Sequence, residues 1–125
     1  MPGFRFVNAL VFVADMKKAM DVYCGLLGQK VAQDHGDFVQ LENGLALHTG
    51  AALQRTIFGD GETGTNQYGR RNLVLYFDAE DLDAAYERVA PHVTMIHPIE
   101  AQSWGQRVFR FYDHDGHIVE VGEPQ

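Results

Sequence analysis

The sequence predicts an α+β fold of two tandem βαβββ modules, which would form a curved, open eight-stranded sheet around a cleft with the helices outside. One strand, one helix and three further strands occur in the same order twice along the 125 residues. Apolar residues recur at helical spacing in two segments, and short β-rich runs between Gly- and Asp-containing turns follow each of them. Because a four-stranded sheet with one helix leaves its other face bare, two modules are expected to cover each other.

Module 1 is expected to span about residues 4–49. Its strand begins at residue 6, and a helix follows whose apolar stripe starts after Asp15, a short carboxylate suited to cap a helix N-terminus. Gly28 can end this helix in a left-handed conformation, and Asn43-Gly44 favours a hairpin turn. The predicted later strands of module 1 cover residues 29–34, 37–42 and 45–49.

Module 2 is expected to span about residues 70–122. A strand at 71–77 leads to a helix at 82–89, with Asp81 as the N-cap and Pro91 as the stop signal. The predicted later strands of module 2 cover residues 93–97, 106–113 and 117–121. The connector between the modules, residues 50–69, contains five glycines and is expected to be a mobile linker or a lid over a site, within one domain of residues 1–125.

The composition excludes several classes of function. Apolar residues make up 46% of the chain and charged residues 22%, which is typical of a soluble globular domain. The formal net charge of -7 repels phosphate backbones and anionic lipids, so neither nucleic acid nor a membrane surface is an expected partner. Cys24 is the only cysteine, which excludes an internal disulfide, and no signal peptide or membrane-spanning run is present. A cytoplasmic protein is therefore expected.

Four segments resemble one protein family. Residues 109–121, FRFYDHDGHIVEV, resemble the closing hairpin and strand of the vicinal oxygen chelate superfamily, with His114 where proline is usual. Residues 10–15 and 23–28 resemble its first strand and helix, and residues 104–113 resemble a subgroup whose members mostly lack an assigned substrate. The superfamily includes glyoxalase I, bleomycin-resistance proteins, fosfomycin-resistance enzymes and extradiol dioxygenases. The resemblance covers the whole chain and implies a small-molecule ligand and a homodimer.

The resemblance also implies four candidate metal-ligand positions, on the first and last strand of each module. Aligning the two modules places Asn8 at the position of Asn72, and His48 at the position of Glu120. Imidazole and carboxylate groups bind zinc, iron or nickel well, whereas the amide oxygens of two asparagines bind them weakly. A divalent metal at His48 and Glu120 is thus one interpretation, though not the favoured one, and the cofactor is left unknown. The two residues could instead act as acid and base without a metal, or be ordinary hydrogen-bonded side chains, with Glu120 satisfying an inward-facing arginine.

Asn8 and Asn72 are also candidate ligand contacts, and three further residues join them. Tyr76 shares strand parity with Asn72, although a half-buried core tyrosine is an equal interpretation. Trp104 and Arg107 precede or begin the seventh strand, where an arginine beside an aromatic ring suits a planar or carboxylate-bearing ligand. Arg107 and Arg110 differ by three positions, so on a regular strand only one of them faces the cleft, and a surface ion pair is the alternative.

Two functions are compatible with these residues. The first is a small-molecule cleft protein of the glyoxalase type, a lyase, isomerase or dioxygenase that uses Glu120 and His48 as acid and base or as weak metal ligands. The second is a metal-free protein, like the bleomycin-resistance proteins, that binds and sequesters an aromatic or cationic small molecule. His48 and Glu120 favour the first function, whereas the two asparagines favour the second.

Overall fold

A computed structural model describes residues 2–59 and 68–125. The chain divides into two compact units, residues 1–65 and 66–125, and each unit contains one four-stranded mixed sheet. This confirms the predicted α+β class and its two tandem modules. The assignment of both modules to one domain and the cleft expected between them stay predictions.

The sheet of module 1 has the strand order β1-β4-β3-β2, in which β1 is parallel to β4 and the other neighbours are antiparallel. Helix α1 continues into a π-helical stretch, and helix α2 follows the last strand directly. The elements of module 1 are β1 (Leu10–Val13), α1 (Met16–Met20) with its π-helical stretch (Asp21–Leu26), β2 (Val31–Asp34), β3 (Phe38–Leu41), β4 (Ala46–Thr49) and α2 (Gly50–Phe58).

One face of the module 1 sheet packs against α1. Val13 and Leu47 are fully buried on that face, and Tyr23 from the π-helical stretch is fully buried with them. The Asp15 side chain accepts a hydrogen bond from the Lys18 N–H at 3.2 Å, so the predicted N-cap is confirmed. Because alternate residues of a strand point to opposite faces, polar side chains are placed on the face of this sheet away from α1.

The sheet of module 2 repeats this topology with the order β5-β8-β7-β6, and β5 is parallel to β8. Its elements are β5 (Val74–Asp78), α3 (Leu82–Val89) with a 3₁₀ turn (Ala90–His92), β6 (Thr94–Ala101), β7 (Arg107–Tyr112) and β8 (Ile118–Gly122). Asp81 caps α3 by accepting from the Ala84 N–H at 3.0 Å, which confirms the second predicted N-cap. The buried Phe109 packs edge-on against Tyr86 of α3, with 5.2 Å between ring centroids.

The structure differs from the sequence prediction at three places. Strands β1 and β5 begin at Leu10 and Val74, later than predicted, because their pairing with β4 and β8 starts there. Strand β6 continues through Pro98 to Ala101 instead of ending at residue 97, since an edge strand needs no amide donor on its outer side. Helix α2 occupies the first part of the expected connector, and residues 60–67 of that connector lie outside the described residues.

No helix in the described part of the chain is both long enough and apolar enough to cross a membrane.

Candidate functional site

Four side chains form a row across the face of the module 2 sheet that α3 does not cover, called here the helix-free face. Tyr76 is the register partner of Glu120, Glu120 is the partner of Arg110, and Arg110 is the partner of His97. Because side chains alternate along a strand, these partners share one face, while the buried Phe109 and Phe111 point to the α3 side. The sequence candidates Tyr76 and Glu120 are thus brought together.

Arg110 binds two of the other members of this polar row, Glu120 and His97, and also Gln102. Its Nε donates to Glu120 Oε1 at 2.8 Å, and one terminal nitrogen donates to Gln102 Oε1 at 3.2 Å. The other terminal nitrogen donates to His97 Nε2 at 3.0 Å. The Arg110 and Glu120 side chains are only 26% and 16% exposed, so this charge-assisted hydrogen bond is partly shielded from water.

His97 joins the row because β6 is irregular. The pairing between β6 and β7 shifts between Met95 and His97, so that His97 lies opposite Arg110. An arginine can only donate, so His97 Nε2 is the acceptor and the ring proton is on Nδ1, which lies 2.7 Å from the Pro98 carbonyl oxygen. His97 thus has a partner at each ring nitrogen, and the Glu100 carboxylate also lies 3.6 Å from Nδ1.

Gln106 holds two aromatic side chains beside the polar row. Its Oε1 accepts from the Trp104 indole N–H at 2.9 Å, and its Nε2 donates to the Tyr76 hydroxyl oxygen at 2.8 Å. The same Nε2 donates to the Glu123 carbonyl oxygen at 2.7 Å. Gln106 is 6% exposed, whereas Tyr76 and Trp104 are 53% and 58% exposed. A buried amide thus fixes two exposed rings.

Gly122 provides the space that the Gln106 amide occupies. A Cβ at position 122 would lie 2.6 Å from Gln106 Nε2 and 3.2 Å from a Val108 methyl carbon. A side chain at this position of β8 would displace the amide. The hydrogen bonds of Gln106 to Trp104 and Tyr76 therefore depend on a glycine two residues after Glu120.

Arg107 lies on the opposite face from the polar row. Its guanidinium donates to both carboxylate oxygens of Asp83 on α3 at 3.4 and 3.2 Å, and it also contacts Glu123 Oε2 at 3.1 Å. The hydrogen bonds that Arg107 donates to Asp83, and then those to Glu123, raise the pKa of Arg107. The backbone N–H and then the side chain of Arg107 lower the pKa of Glu123. The sequence predicted that only one of Arg107 and Arg110 faces the cleft. Arg110, not Arg107, shares a sheet face with Tyr76 and Glu120.

Module 1 has an equivalent row that contains His48. Phe12 and Phe38 are the register partners of His48 on β1 and β3, as Tyr76 and Arg110 are of Glu120. The His48 ring lies 6.0 Å from the Phe38 ring, and its Nδ1 lies 3.1 Å from the Thr49 carbonyl oxygen. Because a carbonyl only accepts, Nδ1 carries a proton, so in the neutral ring Nε2 is the nitrogen with the lone pair.

The two asparagines lie outside the strands that were predicted to hold them. Asn8 precedes β1 and donates from its amide nitrogen to Gln40 Oε1 at 3.1 Å. Asn72 precedes β5 and is exposed. The repeat therefore aligns the two residues, but neither is part of a paired strand.

Comparison with known proteins decides the family. The family model described as a glyoxalase-like domain matches residues 6–125. The chain belongs to the glyoxalase-like family. A comparison with curated proteins finds no match.

Several solved structures share this fold. A protein of unknown function from Agrobacterium tumefaciens str. C58 is 50% identical, with a TM-score of 0.91 over 100% of this chain and 98% of that one. A glyoxalase/bleomycin resistance protein/dioxygenase from Nocardioides is 21% identical, with a TM-score of 0.73 over 98% and 85% of the two chains. Lactoylglutathione lyase from Agrobacterium tumefaciens is also 21% identical, with a TM-score of 0.70 over 98% and 95%.

The side chains at the four candidate metal-ligand positions of this glyoxalase-like chain do not fit a divalent metal. Among residues 2–59 and 68–125, no three His, Cys, Asp or Glu side chains are grouped so that they could hold an ion. Glu120 is bound to Arg110, and at an effective dielectric constant of ~20 each unit of metal charge about 5 Å from a guanidinium costs about 3 kcal/mol. Of the two strong candidate ligands, His48 and Glu120, only His48 has a nitrogen available to a metal. One ligand is too few for a stable site.

No role was predicted for His97, Gln102 or Gln106, and Arg110 was considered only as an alternative to Arg107 for the arginine that faces the cleft. Arg110 could have been found by counting back from the turn at residues 113–116, since Tyr112 and Ile118 pair across it and place Arg110 opposite Glu120. The position of His97 could not have been predicted in this way, because it depends on an irregularity of β6.

Proposed function

We propose that the chain binds a small planar aromatic molecule on the helix-free face of module 2 and requires no metal. One observation carries this proposal: the exposed rings of Tyr76 and Trp104 are both fixed by the buried amide of Gln106. Rings that are already held lose little conformational freedom when a ligand stacks on them, so more of the stacking energy is available for binding.

The polar row supports a ligand with polar atoms at one edge. Glu120 Oε1 is taken by Arg110, but no described residue donates to Glu120 Oε2, which can therefore accept from a ligand N–H or O–H. Arg110 has five N–H groups and donates three of them to Glu120, Gln102 and His97. The other two can donate to an acceptor atom of a ligand. The formal net charge of -7 favours a cation over an anion of the same shape.

The test is equilibrium binding by calorimetry with three probes of similar shape: proflavine, a planar cation; naphthalene, which is neutral; and 2-naphthoate, an anion. We expect proflavine and naphthalene to bind, and 2-naphthoate to bind most weakly of the three. A chelator should not change these affinities. Trp104→Ala and Tyr76→Ala should each weaken binding about tenfold, which is the loss of one aromatic contact. Phe58→Ala is the matched control, because Phe58 is an exposed aromatic residue of α2 in module 1. Wild-type protein that binds none of the probes, or a Trp104→Ala variant with unchanged affinity, would contradict the proposal.

A second candidate function is metal-free acid and base chemistry through His48. The hydrogen bond from its Nδ1 to the Thr49 carbonyl leaves Nε2 as a base whose tautomer is already set. The similarity to lactoylglutathione lyase suggests the probe, lactoylglutathione, whose C–H next to the thioester can exchange with deuterated water. Exchange that requires His48 but not Trp104 would favour this function over simple binding, and exchange no faster than in buffer would exclude it for this probe.

A further inference from the structure

We infer that Gln106 makes Tyr76 a hydrogen-bond donor to the ligand, so that the site selects flat aromatic molecules carrying an acceptor atom. The inference rests on the proposed function and adds the chemical class of the ligand.

The orientation of the Gln106 amide is fixed by its partners. An indole N–H can only donate, so the atom that faces Trp104 at 2.9 Å is the amide oxygen. A backbone carbonyl can only accept, so the atom that faces the Glu123 carbonyl at 2.7 Å is the amide nitrogen. Two partners with single roles, on opposite sides of the amide, therefore agree on one orientation.

This orientation determines what the Tyr76 hydroxyl can do. The amide nitrogen also faces the hydroxyl oxygen at 2.8 Å, so the hydroxyl accepts from Gln106 and keeps its own hydrogen to donate. No described residue accepts that hydrogen: Glu120 on the neighbouring strand has Oε1 on Arg110, and its Oε2 makes no hydrogen bond to the Tyr76 hydroxyl. The tyrosine is half exposed, so its hydrogen is available to a ligand lying against the ring.

A ligand that matches this donor carries an aromatic nitrogen or a carbonyl oxygen in the plane of its ring. A flat hydrocarbon would stack equally well but would leave the hydroxyl without a partner on the ligand-covered side. Since one neutral hydrogen bond changes an equilibrium about fivefold, the site should prefer the acceptor-bearing ligand by that factor.

Quinoline and naphthalene provide the test, because they share size and shape and differ by one acceptor nitrogen. We expect wild type to bind quinoline about fivefold more tightly than naphthalene in calorimetry. Tyr76→Phe should remove this preference while retaining naphthalene binding. Gln106→Glu should also remove it, because a carboxylate oxygen accepts the hydroxyl hydrogen and makes Tyr76 unavailable as a donor. Gln33→Glu in module 1, where the Gln33 side chain contacts His35, adds the same charge and should leave the preference unchanged.

The outcomes separate this inference from the proposed function. If wild type binds neither probe, the proposed function is wrong and the inference with it. If it binds both equally, or if Tyr76→Phe retains the preference, the proposed function stands and the inference is wrong. Trp104 is the only tryptophan, so its single indole N–H resonance in a nitrogen-correlated spectrum shows whether Gln106→Glu still holds the ring. A Gln106→Glu variant that keeps this resonance and the quinoline preference also overturns the inference.

Discussion

Arg110 and Glu120 are direct register partners on β7 and β8, and the 2.8 Å hydrogen bond from Arg110 Nε to Glu120 Oε1 is formed where both side chains are mostly shielded from water. A shielded carboxylate that loses its partner keeps its desolvation cost. The pair therefore affects folding as well as the proposed site.

Arg110→Met should lower the free energy of unfolding by about 1–3 kcal/mol, because the buried side of Glu120 is left unpaired. Adding Glu120→Gln to this variant should recover part of the loss, since the unpaired charge is removed. Urea denaturation measures both effects. Lys17→Met is the control, because the Lys17–Asp21 ion pair at 3.9 Å is exposed and should contribute less than about 0.5 kcal/mol. Equal stability of Arg110→Met and wild type would contradict this account.

The contact between Glu123 and Arg107 predicts a pH dependence of stability. Arg107 lowers the pKa of Glu123 in the folded state, so the stabilisation is complete above the unfolded pKa of about 4.3 and disappears as the pH falls through the folded value. Thermal unfolding of wild type and Glu123→Gln between neutral and acidic pH measures it. The difference between the two proteins should be largest near neutral pH and should shrink in acid. A difference that grows in acid would have the wrong sign.

Gly122→Ala should displace the Gln106 amide, because the added Cβ would lie 2.6 Å from its Nε2. We expect a loss of about 1–3 kcal/mol in unfolding free energy and a shift of the Trp104 indole N–H resonance. Gly25→Ala is the matched control, since no atom lies within 4 Å of a Cβ there and the residue is helical. That variant should be as stable as wild type or more stable, with an unchanged indole signal. An unchanged indole signal in Gly122→Ala would show that the amide does not depend on Gly122.

Protein purified without a chelator should contain less than ~0.1 transition metal per chain, since one imidazole and an arginine-bound carboxylate make a poor site. Zinc or nickel in about tenfold excess over protein should not change the unfolding temperature of wild type or of His48→Ala. A ligand stabilises only a state that binds it. Elemental analysis and thermal unfolding measure the two quantities. Stoichiometric metal, lost in His48→Ala, would show that the proposed metal-free function is wrong.

The repeat allowed the sequence to predict which residues are equivalent. His48 and Glu120 occupy the same register position beside Phe12 and Tyr76, as the alignment of the two modules requires. This succeeds because pairing register follows from alternation and turn position, both of which are visible in the sequence.

Other features depend on contacts that the sequence does not display. Helix α2 was missed because its first residue Gly50 and its C-cap Gly59 suggest a loop, and Thr49 makes no side-chain capping bond. Residues 51–55 nevertheless include good helix formers. The position of His97 required knowledge of the shift in β6, and the role of Gln106 required knowledge that Gly122 leaves space for its amide. Such local irregularities are decided by tertiary packing.

The parallel pairing of the first and last strand in each module also constrains the order of folding. Tyr76 and Glu120 are partners although 120 - 76 = 44 positions separate them, whereas β7 and β8 are joined by a short turn. During synthesis the hairpins of a module can close as they emerge, but its first strand has no partner until its last strand is complete. A ribosome that pauses before β8 would therefore hold a chain in which Tyr76 is already made but the strand that carries its partner, Glu120, is not.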